Sequence, residues 1–172
     1  MANSSQGHIL YDAICDGKDD DEVNLIIEKY GGGSFINVIN DYGWTGFHTA
    51  AFFGNVTVLK KMMTMGSLKE IDKKDRYGKT ALLLTAEVGK LQATQFLIGH
   101  GSSPNQVDNN NKNAKDTARE GGKVEVFEFL EKVLSKGDLF PLQPKYLNCF
   151  VLADDIFGLI TVINEASTNQ KV

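Results

Sequence analysis

The 172 residues are 42% hydrophobic and 23% charged, enough apolar material to bury one sizeable core and too much for a disordered chain. The net charge of -4 is uneven: residues 1–30 carry seven acids against Lys18 and Lys29, while residues 60–90 carry eight bases against four acids. That positive stretch is suited to steering an acidic partner, but acids dilute it well below a nucleic-acid footprint, and nucleic-acid binding is not expected.

The amino-terminal residues 1–7 lack the basic and apolar runs of a secretory signal, and Cys15 and Cys149 are the two cysteines, far apart in sequence. An intracellular, reducing location, cytoplasmic or nuclear, is therefore expected. The acidic run Asp16-Gly17-Lys18-Asp19-Asp20-Asp21-Glu22 invites a calcium reading that fails on register. Counted from Asp16, Asp21 stands where an EF-hand loop needs glycine and Ile27 where it needs glutamate. A solvated cluster beside a helix start, where negative charge is favoured, accounts for it. Gly31-Gly32-Gly33 lacks the spacing of a phosphate-binding or dinucleotide loop and reads as a flexible hairpin.

From residue 43 onward the chain repeats. Gly43-Trp44-Thr45-Gly46-Phe47-His48-Thr49-Ala50-Ala51-Phe52-Phe53-Gly54 recurs 35 residues later as Gly78-Lys79-Thr80-Ala81-Leu82-Leu83-Leu84-Thr85-Ala86-Glu87-Val88-Gly89, and an eroded copy follows 33 residues on, from Asn111 through Ala118 to Gly122. Each copy precedes an apolar stripe at helical spacing: Val58, Leu59, Met62, Met63; then Ala93, Phe96, Leu97; then Val126, Phe127, Phe129, Leu130. A short helix, a turn and a longer helix per unit is the predicted structure, with Thr45 and Thr80 as caps and Ala50, Ala51 and Ala86 allowing close helix approach. Such a unit cannot bury its stripe alone and must stack on its neighbours.

These residues resemble the ankyrin repeat, whose helix pair opens on Gly-x-Thr-Pro-Leu-His-x-Ala-Ala. The resemblance covers most of residues 6–137 and implies an all-α solenoid with β-hairpin loops. Four repeats are expected, at about 6–39, 40–74, 75–107 and 108–137. The first is degenerate and traced through Leu10, Ala13, Gly17, Leu25, Ile26, Ile27 and Ile36-Asn37. Gly46 and Ala81 stand in place of the family's proline. His48 matches its structural histidine, which implies a role tying adjacent hairpins together. Beyond Gly137, Pro141 and Pro144 break the chain before an apolar tail at residues 146–166, so residues 138–172 are expected to form a helical cap or a partner-binding tail.

No catalytic constellation, metal set or cofactor motif stands out, and neither an enzyme nor a cofactor is expected. The longest apolar stretches are too short to span a membrane, so solubility is expected. The resemblance implies a binding module for another protein, an adaptor or inhibitor. The alternative is a structural or assembly factor that self-associates through the tail; a monomer or weak homodimer is expected. Partner-facing positions in the family flank the turn glycine and follow the small residues of the first helix. Here they are Asp41, Tyr42, Trp44, Thr49, Phe52 and Phe53, then Arg76, Tyr77, Lys79, Leu84, Glu87 and Val88. Trp44 and Tyr77 are expected to be exposed anchors whose truncation leaves the melting temperature nearly unchanged. Asn105 matches the hairpin asparagine that makes some ankyrin proteins hydroxylase substrates.

Overall fold

The computed structural model describes residues 4–16, 18–30, 40–64 and 71–135. Eight helices occupy them, and no strand is formed among these residues. They come in four pairs: α1 (Ser4–Cys15) with α2 (Asp20–Tyr30), α3 (Gly46–Phe53) with α4 (Val56–Thr64), α5 (Ala81–Val88) with α6 (Leu91–Gly99), and α7 (Ala114–Glu120) with α8 (Val124–Ser135). The first helices stack in one row, α1 on α3 on α5 on α7, and the second helices in another, α2 on α4 on α6 on α8. This is the all-α solenoid that the period implies. Among the described residues the hairpin loops turn without forming a strand ladder. Tail residues 138–172, with Cys149, lie outside the described residues, as do Gly17, Gly31-Gly32-Gly33, Ile36-Asn37 and Gly66.

Local chemistry places each first helix. Thr45 and Thr80 have extended backbones, and their hydroxyls accept the backbone N–H of His48 and Leu83; Asn113 does the same for Asp116 in the eroded copy. Each cap satisfies a donor that the first helical turn leaves without a partner, worth about 1 kcal/mol. In the first pair, Asp19 accepts the N–H of Glu22 at 2.8 Å, so the acidic run opens α2, where its charge opposes the helix dipole favourably.

Packing follows the stripes. Val58, Leu59, Met62 and Met63 of α4 and Ala93, Phe96 and Leu97 of α6 are all buried, while Ala50, Ala51, Ala86 and Ala118 line the buried seams of the first-helix row. One expectation needs correction. On α8 only Val126 and Leu130 are buried; Phe127 and Phe129, to either side of the helix face those two share, are partly buried against the core. The Arg119 guanidinium lies over the Phe127 ring, 5.1 Å from its centroid. In the first pair Ala13, Val23 and Ile27 are buried, but Leu25 points to solvent.

The turn residue of each hairpin takes the left-handed conformation: Gly43 at φ 83°, Gly78 at φ 75° and, in the eroded copy, Asn111 at φ 62°. Asparagine tolerates this region better than other side-chain-bearing residues but less well than glycine. Changing Asn111 to glycine is therefore expected to raise stability by about 0.5–1 kcal/mol, read as a higher urea midpoint with unchanged m-value. A lower midpoint would mean that the Asn111 side chain holds the loop.

Candidate protein-binding face

The hairpins share one brace. Asn40 Oδ1 accepts the N–H groups of Tyr42 and Trp44 at 3.0 and 2.9 Å. Asp75 Oδ1 accepts those of Tyr77 and Lys79, both at 2.8 Å, and Asp108 Oδ1 those of Asn110 and Lys112 at 2.8 and 3.0 Å. A short side chain bonding to backbone donors two and four residues on folds each tip into the same shape. Burial disfavours ionisation of Asp108, but the backbone donors of Lys112 and Asn110, the Asn110 amide and the nearby Lys79 charge outweigh it and hold the carboxyl below the usual range.

Neighbouring tips are tied together by backbone: Arg76 N–H donates to Tyr42 O at 3.1 Å, and Asn109 N–H to Tyr77 O at 3.0 Å. The Asn109 amide also donates to Arg76 O. Behind the tips, Asp72 accepts the Ser102 hydroxyl and the Ser103 N–H, and Lys74 donates to Val107 O. The tips therefore form a braced row.

His48 joins this frame from beneath. Its Nδ1 accepts the Thr45 N–H at 3.2 Å, so that nitrogen is unprotonated, and Nε2–H donates to Lys73 O at 2.9 Å. The ring thus ties the start of α3 to the next hairpin. Burial pushes its pKa down, with the Lys73 carbonyl and Asp75 acting partly against that. The unfolded chain then binds the extra proton first, so stability is full above about pH 6.5 and falls as the pH drops towards the depressed folded value, by up to about 1.4 kcal/mol per unit. Denaturant melts between pH 7 and 5 should show this slope, and His48→Leu, which installs the residue found at the equivalent position 83, should flatten it. An unchanged slope in the variant would place the titration elsewhere.

On this frame an aromatic run crosses the second repeat. Tyr42 and Trp44 have ring centroids 5.9 Å apart, Trp44 and Phe52 5.0 Å, and Phe52 meets Phe53 edge-on at 5.4 Å. Tyr42 is 53% exposed and Phe53 40%, whereas Trp44 and Phe52 are half-buried between them. Tyr77, 55% exposed, stands on the adjacent tip outside the ring stack. Trp44 and Phe52 are eight residues apart, and the same two places in the following repeats hold ion pairs, Lys79–Glu87 at 2.7 Å and Lys112–Glu120. One slot of the repeat is thus aromatic once and charged twice.

Three expectations about this face change. Trp44 is not an open anchor: its indole N–H donates to Asp75 Oδ2 at 2.9 Å, locking one hairpin to the next. Leu84 is 1% exposed and Thr49 is buried too, because the central first helices are enclosed by neighbours on both sides and by their own second helices, so neither offers a side chain to a partner. Lys79 and Glu87 neutralise each other and present a pair rather than separate charges. Arg76 is exposed, Val88 is half-buried, and Asn105 is exposed on the loop after α6.

Away from the face, Cys15 is half-buried, and burial raises its thiol pKa despite the Tyr11 hydrogen bond, which favours the protonated, unreactive form. No described helix is long and apolar enough to cross a membrane, and no metal-ligand cluster occurs among the described residues.

Comparison with known proteins agrees with this geometry. The chain is 31% identical over 91 residues to the probable 26S proteasome regulatory subunit p28 of Saccharomyces cerevisiae, a match covering 53% of this chain and 40% of that protein. It is also 31% identical over 94 residues to the putative palmitoyltransferase ZDHHC13 of Danio rerio, covering 54% of this chain and 14% of that protein. The chain thus spans well under half of either relative. The family profile described as ankyrin repeats (3 copies) matches residues 47–136, the three regular pairs, and α1 and α2 add the degenerate pair before them. As that match takes in more than half of the sequence, the chain belongs to the ankyrin-repeat family.

Proposed function

We propose that this protein is a non-enzymatic adaptor or inhibitor that holds a partner protein on its hairpin tips and the adjoining ends of its first helices. Ankyrin repeats are protein–protein interaction modules, and p28, named as a regulatory subunit of a larger assembly, is a relative whose role fits an accessory, partner-holding chain. The observation that carries the proposal is the pair Tyr42 and Tyr77, both more than half exposed, on a row of tips braced by backbone bonds, with Phe53, 40% exposed, at the far end of α3. Exposed aromatics on a rigid support lose little entropy when covered, and such residues dominate many interfaces. Arg76, Trp44 and Phe52 complete the surface, and the Lys79–Glu87 pair forms its rim.

A pull-down from lysate of the source cells tests this. Tyr42→Ala with Tyr77→Ala should weaken capture by about 2 kcal/mol or more, about thirtyfold, with the melting temperature nearly unchanged because both rings are mostly in solvent. Full-strength capture by the double variant would put the binding surface elsewhere. Asn105, exposed on its loop, is also proposed as a hydroxylation site. Mass spectrometry of the native protein should find an added oxygen on the Asn105 peptide, and a wholly unmodified peptide would contradict this.

A further inference from the structure

We infer that the tips of the second and third hairpins select an acidic segment of the partner, one whose carboxylate sits on Arg76 while a neighbouring apolar side chain packs on Tyr42 or Tyr77. The inference rests on the docking face proposed above and adds the chemistry of what it holds.

The acids around Arg76 are engaged inward. Asp75 accepts from Tyr77, Lys79 and Trp44, and Asp72 from Ser102 and Ser103, so their lone pairs are used in holding the hairpins. Those neutral donors leave the carboxylates charged but turn their oxygens inward, whereas Lys74 and Arg76 are exposed. Lys74 is exposed and bonded to a carbonyl, which leaves its charge in place. Arg76 is exposed, and among the described residues its guanidinium has no ion pair or side-chain hydrogen bond, Asp41 on the neighbouring tip included.

The backbone of Arg76 is nonetheless fixed on both sides, its N–H on Tyr42 O and its carbonyl under the Asn109 amide. A guanidinium on a Cα held in place, with the exposed Tyr42 bonded to its backbone and the exposed Tyr77 next in the chain, can meet a carboxylate in a two-pronged hydrogen bond. The equivalent tip positions are Asp41 in the second repeat and Asn109 in the fourth, so this cation marks one tip of the described row. Charge complementarity therefore specifies an acid, and the rings specify its apolar neighbour.

The test pans a display library of random linear peptides on the full chain, then titrates synthetic copies of the enriched peptides against variants whose melting temperatures match the unaltered protein. Enriched peptides should carry Asp or Glu beside an aromatic or aliphatic residue and bind more weakly as salt rises. Binding should fall about tenfold or more in both Arg76→Gln and Arg76→Glu, and replacing the peptide's acid by lysine should restore binding to Arg76→Glu. Neutral or basic enriched peptides, binding indifferent to both variants, or a library with no Arg76-dependent binder would overturn the inference. Binding lost in Tyr42→Ala but indifferent to Arg76 would overturn it too while leaving the docking face standing.

Discussion

Replacing Gly78 by alanine should destabilise the protein by about 3 kcal/mol, whereas the same change at Gly122 should cost about 1 kcal/mol. Both residues have positive φ, 75° and 64°, so both variants pay the backbone strain of a left-handed residue with a side chain. They differ in what the new methyl group meets. At Gly78 a Cβ would fall 2.8 Å from the backbone nitrogen of Asn109, and closer still to its side-chain oxygen, whereas at Gly122 it meets open space. The N–H of Asn109 is the group bonded to Tyr77 O, so the methyl forces apart the bond that stacks one tip on the next. The difference between the two variants in urea unfolding therefore isolates tip stacking from turn strain. Equal losses would mean that the hairpins do not depend on close contact.

The second large effect is at Trp44. Trp44→Ala should lower stability by about 3 kcal/mol and Trp44→Phe by about 1–2 kcal/mol. Alanine removes the ring contacts with Tyr42 and Phe52 and leaves Asp75 Oδ2 without its donor; phenylalanine keeps most of the ring and loses the donor alone. The half-burial of Trp44 keeps the alanine figure at the lower end of the range for large aromatics. A Trp44→Phe variant as stable as the parent would show that the bond to Asp75 contributes nothing net. A loss of partner binding in Trp44→Ala would consequently not identify a contact residue, and for that reason Tyr42 and Tyr77 are the better probes of the face.

The period was legible in the sequence because each of its marks answers a local need. Thr45 and Thr80 cap, Gly43 and Gly78 turn with positive φ, and alanines line the helix seams, so the same letters recur wherever the same backbone does. The brace was half legible: Asn40, Asp75 and Asp108 each stand three residues before the turn residue, a spacing visible in the sequence whose bonding was not. What the letters did not disclose are contacts between repeats. The bond from Trp44 to Asp75 joins residues 31 apart and depends on which way the indole turns. Leu84 occupies a place that faces outward in the repeat pattern, and its burial depends on the helices around α5 rather than on its own neighbours in sequence. Likewise Phe127 and Phe129 continue an apolar stripe, yet they lie to either side of the face that Val126 and Leu130 share and are only partly buried.

The most direct test of the account is photo-cross-linking in the source cells, with a photoreactive phenylalanine analogue placed singly at Tyr42, Tyr77 and Val124. All three positions are more than half exposed, but Val124 opens α8 beside the short turn from α7, at the opposite end of the helices from the hairpin tips. One shared protein adduct is expected from positions 42 and 77 and none from 124. An adduct from position 124 with neither tip labelled would contradict it.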